Sequence, residues 1–316
     1  MINIQDIYEA RETIKDSVHK TPLLQSTQLN KLTGNNVFIK GEHLQKTGSF
    51  KFRGATNRIK QAVKNGETFV TTASSGNHGQ AIAYATNEAN IRSTIFVPEN
   101  VPKSKEGAIK AYNGNLVKFG TLSRQRIQKA IEYAQAENGI FIPPFDDTYV
   151  IAGQGTIGLE LLEQLDAIDV ICVPIGGGGL ISGIATAIKE LKPSVQIIGV
   201  EPELSNVMYQ SFQKGEIQAL KEPTGIADGL RTSNPGEITF SIISKYVDDI
   251  VLVSEQEIKE ALSFVMERMK QVIEPSGVAS TAAVLFDKLN VRNKNIVCIA
   301  SGGNIDIHQI SHILGE

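Results

Sequence analysis

Cysteine is scarce in this chain. Only Cys172 and Cys298 occur in 316 residues. Each lies inside a strand-like apolar run, so both read as buried thiols of a reducing compartment. A disulfide framework or a cysteine metal site is not expected. Long apolar runs are missing too: nothing approaches the ~20 residues that span a bilayer. The opening residues Met1-Ile2-Asn3-Ile4-Gln5-Asp6 lack a basic start and an apolar stretch. No secretion signal is read there, and a cytoplasmic protein is expected. Basic charge is not in excess either. A formal net charge of −3 gives no support for nucleic acid or a membrane as partner. Gly/Ser-rich linkers, repeats and low-complexity tracts are absent. The remaining composition, 41% hydrophobic and 21% charged, is that of a globular chain with one or two domains and a sizeable core.

Short apolar runs alternate with helical patterns. Strands are expected at Val37–Lys40, Phe69–Thr72, Thr94–Pro98, Leu116–Phe119, Val170–Ile175, Gln196–Val200, Ile250–Val253 and Asn295–Ala300. Helices are expected at Ile4–Val18, Phe52–Val63, Gly79–Asn87, Lys103–Tyr112, Arg124–Glu137, Gly155–Leu165, Ile181–Leu191, Glu255–Met269 and Gly277–Leu289. This alternation predicts an α/β fold of two open, mostly parallel sheets covered by helices. Asn65-Gly66 and Pro143-Pro144 bracket a β-α-β-α-β-α block. A small domain at 69–145 is therefore expected within a larger one made of 1–68 and 146–316.

Three turns rich in small residues follow strands. Gly176-Gly177-Gly178-Gly179 separates a buried strand from a helix, where bare backbone amides and a helix N-terminus suit a phosphate. A plain tight turn is the competing reading, but four glycines cost conformational entropy that such a turn avoids. Ser74-Ser75-Gly76-Asn77-His78-Gly79 opens another helix and suits a carboxylate or cofactor oxygen, although Ser75 or Asn77 could simply cap that helix. Ser301-Gly302-Gly303-Asn304 is the third. Ligands in open α/β sheets bind beyond the carboxyl ends of strands, where all three turns fall. A dinucleotide-binding reductase is the alternative of a different class. Its G-x-G-x-x-G fingerprint fails in every register, and no G-x-x-x-x-G-K-[ST] is present. A non-catalytic anion binder would have no use for Lys51, which sits between the Thr47-Gly48-Ser49 loop and a helix.

The motifs Lys46-Thr47-Gly48-Ser49-Phe50-Lys51, Ser74-Ser75-Gly76-Asn77-His78-Gly79-Gln80, Gly153-Gln154-Gly155-Thr156, Gly176–Gly179 and Ser301-Gly302-Gly303-Asn304 span nearly the whole chain. In order and spacing it resembles the serine/threonine dehydratase and serine racemase family of fold-type II (tryptophan-synthase-β-like) pyridoxal-phosphate enzymes. The resemblance implies that Lys51 carries pyridoxal 5'-phosphate as an imine, with Phe50 against the ring. It places Gly176, Gly177, Gly178, Gly179 and Leu180 on the phosphate, Asn77 on the phenolic oxygen and Ser301 on the ring nitrogen. Ser75 falls on the ring face opposite Lys51. Ser74, Asn77, His78 and Arg126 fall, with Ser75, around the substrate carboxylate. The activity implied is dehydration and deamination of L-threonine or L-serine, with serine racemisation as an alternative. A homodimer is implied as well.

Three positions qualify the resemblance. Members with an activating divalent ion use a Glu, a carbonyl and an Asp, but Val207 stands where the Asp is expected after Glu201 and Ser205, so no tight divalent site is expected. Phe145 follows the dehydratase pattern, since racemases tend to carry Asn there. Arg231 is unusual and suggests a second substrate carboxylate, as in threo-3-hydroxyaspartate, against the simpler reading of a solvated arginine. The sequence runs only a little beyond Asn304, which suggests a catabolic type without a C-terminal regulatory domain.

Overall fold

The computed structural model describes residues 1–315. Ten strands form two sheets. They are β1 (Leu23–Gln25), β2 (Asn36–Lys40), β3 (Phe69–Ala73), β4 (Arg92–Val97), β5 (Asn115–Lys118), β6 (Ile140–Phe141), β7 (Val170–Pro174), β8 (Gln196–Pro202), β9 (Asp249–Val253) and β10 (Asn295–Ile299). The larger sheet runs β1-β2-β10-β7-β8-β9 and the smaller β5-β4-β3-β6. Every pairing is parallel except β1 with β2. The smaller lobe is inserted in the larger, as the α/β reading predicts.

Strand β7, Val-Ile-Cys-Val-Pro, is buried along its full length because helices cover both faces of its sheet. One face packs on Ile258, Leu262 and Val278. The other packs on Ile181, Ile184 and Ile188. Cys172 and Cys298 are buried, free thiols at paired positions of β7 and β10. Among the described residues, no helix is long and apolar enough to cross a membrane.

Some elements depart from their expected bounds. The first helix ends at Ile14 instead of Val18, and begins with a capping box between Asn3 and Asp6. The helix expected at Gly155 starts at Thr148, where the Asp147 carboxylate accepts the Val150 N–H at 2.9 Å. Gly155 was read as its start, but Gly153 and Gly155 both lie at helix crossings. A Cβ on Gly153 would meet Gly54 Cα at 2.7 Å, and one on Gly155 would meet the Gly183 carbonyl at 2.9 Å. Strands β1 and β6 and the helices Thr27–Thr33, Val207–Lys214, Glu237–Tyr246 and Ile307–Leu314 were not anticipated.

A buried ionic network anchors the helix Lys51–Lys64. Arg53 donates through Nε and Nη2 to Glu42, each at 2.8 Å, and through Nη1 to Glu160 at 2.6 Å. Lys40 Nζ donates to Glu160 at 2.5 Å. Lys40, Glu42 and Arg53 are each 0% exposed. The network ties strand β2 and the helix Thr148–Gln164 to a point two residues beyond Lys51.

Candidate active site

A cavity of about 460 Å³ lies beyond the carboxyl ends of β3, β7 and β10. It brings together every residue expected around the cofactor and the substrate carboxylate: Phe50, Lys51, Ser74, Ser75, Asn77, His78, Arg126, Gly176, Gly177, Gly178, Gly179, Leu180 and Ser301. Parallel packing explains the convergence, since each strand delivers its following turn to the same edge.

Lys51 opens its helix, half-buried. Its Nζ donates to the Pro144 carbonyl at 2.6 Å and lies 5.1 Å from the centre of the Phe50 ring. Loss of hydration lowers its pKa to about 8. A substantial neutral fraction therefore exists near neutral pH, as a nucleophilic amine requires. The loop is stitched to the turn after β10: the Phe50 N–H donates to the Ser301 carbonyl at 3.0 Å, and Ser49 bridges Gly302.

The helix Asn77–Glu88 begins after Gly76 with no side chain capping it. Capping by Ser75 or Asn77, weighed above, does not occur, and the Asn77 side chain is instead engaged by Glu274 and Asn304. The Ser74 hydroxyl accepts from the Gly76 N–H at 3.4 Å. The first-turn amides thus receive no side-chain cap and favour an anion. His78 is 2% exposed, and its Nε2 lies 3.3 Å from the Ile142 carbonyl. Burial above all, then the charge of Lys51, pushes its pKa down to about 3. The ring is neutral, with Nε2–H as donor and a buried Nδ1 without a partner. Any anion it helps to bind is met by its backbone amide.

Gly178 has φ +90° and precedes the helix Gly179–Leu191, which also has no side-chain cap. A Cβ on Gly177 would fall 2.2 Å from the Phe145 ring, so close packing, besides any anion, requires glycine there. The Thr239 hydroxyl donates to the Gly177 carbonyl at 2.8 Å. The Asp146 carboxylate in turn accepts the N–H groups of Glu237, Ile238 and Thr239 at 3.1, 3.0 and 3.1 Å.

Arg126 lines the wall with its guanidinium on the Thr121 carbonyl and the Ser123 hydroxyl, both at 3.0 Å. Ser301, 3% exposed, lines the cavity as well. Arg231 is exposed at the rim and donates to the Gly225 carbonyl. Glu201 is fully buried away from the cavity, accepting the Met208 and Tyr209 N–H groups at 3.2 and 2.6 Å, and burial raises its pKa to about 8. The charged cavity residues Glu274, Lys105 and Asp228 escaped the reading of site residues from the sequence. Glu274 is 5% exposed, and Lys105 pairs with Asp228 at 2.6 Å. The signal for Glu274 was a lone acid in Val272-Ile273-Glu274-Pro275.

A desolvated primary amine, a glycine cradle at an uncapped helix start and a hydroxyl at the end of β10 line a single cavity. They fit an aldehyde that carries a phosphate and a ring.

Known proteins agree. The family described as "Pyridoxal-phosphate dependent enzyme" matches residues 14–302. L-threonine ammonia-lyase of Thermotoga maritima is 40% identical over 100% of this chain and 79% of its own. The catabolic L-threonine dehydratase TdcB of Escherichia coli is 41% identical over 99% of this chain and 96% of its own. Among solved structures, serine racemase from Dictyostelium discoideum superposes with a TM-score of 0.89 at 40% identity, covering 97% of this chain and 99% of that one.

Proposed function

The chain belongs to the pyridoxal-phosphate dependent enzyme family, and from that premise we propose that it is an ammonia-lyase converting L-threonine or L-serine to a 2-oxo acid and ammonia. The observation that carries this is the Lys51 amine, desolvated in a cavity that also holds the Gly176–Gly179 cradle.

Lys51 would hold the cofactor's aldehyde carbon, Gly176, Gly177, Gly178, Gly179 and Leu180 its phosphate, Asn77 its ring oxygen and Ser301 its ring nitrogen. Phe50 would pack on the ring. Bound there, the cofactor supplies a sink for the electron pair left at the substrate Cα. The chain's own residues do the rest. The first-turn amides at Asn77 and His78, with Ser74, Ser75 and Arg126, hold the carboxylate and orient the Cα–H bond. Lys51, once free, is the base that takes the α-proton. Ser301 is a neutral partner for the ring nitrogen, which suits prompt loss of the β-hydroxyl over a long-lived carbanion. Water leaves in the elimination, and another water releases ammonia from the remaining enamine.

Borohydride reduction followed by mass mapping tests the reading. A cofactor adduct on Lys51 is expected, and an adduct elsewhere or none would sink it. Assay of 2-oxo acid and D-serine in parallel separates elimination from racemisation. Racemisation is the second reading, favoured by the similarity to a serine racemase and by Ser75 on the cavity wall. Threo-3-hydroxyaspartate is the substrate that would engage Arg231. An unchanged threonine-to-hydroxyaspartate ratio in Arg231→Ala excludes that role. The same reading carries a cytoplasmic homodimer, checked by light scattering on the eluted protein and by cell fractionation.

A further inference from the structure

Asn77 is gripped at both ends of its amide. Its Nδ2 donates to Glu274 Oε1 at 2.8 Å, and its Oδ1 accepts from Asn304 Nδ2 at 2.8 Å. Asn304 is fixed in turn, because its Nδ2 also donates to the Thr47 carbonyl at 2.7 Å. A side-chain amide has two donors on nitrogen and none on oxygen. Reversing Asn77 would face its nitrogen with the Asn304 nitrogen and its oxygen with a carboxyl oxygen. The contact with Asn304, whose nitrogen is fixed by Thr47, would be lost, so the orientation is determined. One Asn77 N–H is then taken by Glu274, and the second remains for the cavity whose wall all three residues help to form.

Glu274 is held tightly in this place. A Cβ on Gly302 would meet its Oε1 at 2.7 Å, which sets the carboxyl group against the turn after β10. Burial first, then the charge of Asp228, raises its pKa to about 8, against the opposing pull of the Asn77 amide, Lys105 and the Asn304 backbone N–H. Asp228 and Lys105 are paired with each other, so neither replaces Asn77 as its partner.

We propose that Glu274 is a positioning residue: acting through Asn77, it fixes which edge of that amide is offered to the cofactor's ring oxygen. The inference rests on the cofactor reading above. Glu274 touches no reacting atom. Its removal leaves Asn304 as the one side-chain hold on that amide and loosens the donor that Asn77 offers.

The experiment compares wild type, Glu274→Ala, Glu274→Gln, Asn77→Ala and Glu274→Ala/Asn77→Ala as holoenzymes. It reads the pH midpoint of the bound cofactor's absorbance together with kcat and KM. In Glu274→Ala the midpoint shifts and kcat falls about tenfold, the loss of one orienting hydrogen bond, with KM changed much less. Glu274→Gln recovers most of both, since its amide oxygen accepts the same N–H. In the Asn77→Ala background the Glu274→Ala change adds nothing, as coupling through Asn77 demands. A wild-type midpoint and kcat in Glu274→Ala overturns the inference, and so does an effect of equal size without Asn77. If Glu274→Ala does not fold, Glu274→Asp draws the carboxylate back from the Asn77 N–H, and a wild-type midpoint and kcat in that variant overturn the inference equally. Wild-type protein without a Lys51 adduct would defeat the cofactor reading instead. A normal adduct with an unmoved midpoint defeats only the role of Glu274.

Discussion

Lys51 shows how one residue acquires its chemistry from its surroundings. No cation or anion drives its pKa to about 8; burial does. The neutral form of a primary amine is the nucleophilic one, and its fraction grows as pH rises through that value. Capture of pyridoxal phosphate by apoprotein should therefore quicken from pH 6 and level off above about pH 8, measured by absorbance after rapid mixing. Lys51→Ala should lose on the order of 10³-fold in kcat and should give no borohydride-stable adduct, read by steady-state assay and mass mapping. Glu201 makes the opposite case, that of a buried acid. Its folded pKa of about 8 lies above the usual carboxylate value, because burial disfavours the charge more than two backbone N–H groups favour it. The stability it contributes is present in acid and is lost as pH rises towards about 8. Relative to wild type, Glu201→Gln should gain thermal stability between pH 5 and pH 8, and a melting series checks the sign. His78 completes the contrast: legible as part of a motif, its neutral tautomer follows only from the Ile142 carbonyl beside it.

Among the elements, the glycine turn between β7 and the helix Gly179–Leu191 was legible, since four glycines between a buried strand and a helix have few uses. The packing that constrains it was not. Gly178 stands at φ +90°, and a Cβ there would lie 2.9 Å from Ile243 Cδ1 and 3.0 Å from Thr239 Cβ. Gly178→Ala should weaken cofactor affinity about tenfold or more, since strain of this kind costs roughly 1–3 kcal/mol. Cofactor titration monitored by fluorescence reads the loss. Helix boundaries were harder to see. A start was expected at Gly155, but the helix already runs from Thr148, and Gly153 and Gly155 serve contacts with Gly54 and Gly183 on other helices. Strand β6 has only two residues, too short for any alternation to register.

At the scale of the molecule, the Lys40–Glu42–Arg53–Glu160 network joins chain segments more than a hundred residues apart. Taking Glu160 to Ala leaves Lys40 and Arg53 short of a charge partner in a buried place. A cost of about 3–5 kcal/mol is expected, and a melting point lower by roughly 5–8 °C, measured by calorimetry. Because Arg53 follows Lys51 by two residues, cofactor affinity should drop as well.

By itself the sequence determined the alternation of strands and helices, the two-sheet α/β class, the lysine and the three small-residue turns. These are local patterns, set by side-chain periodicity and by where glycine is tolerated. Only the tertiary structure decided that Glu274, Lys105 and Asp228 share the cavity with Lys51, and that Asn77 is turned in one direction. Those facts depend on contacts between segments distant in the chain, and on burial, which alters the acidity of a group without leaving any mark on its neighbours in sequence.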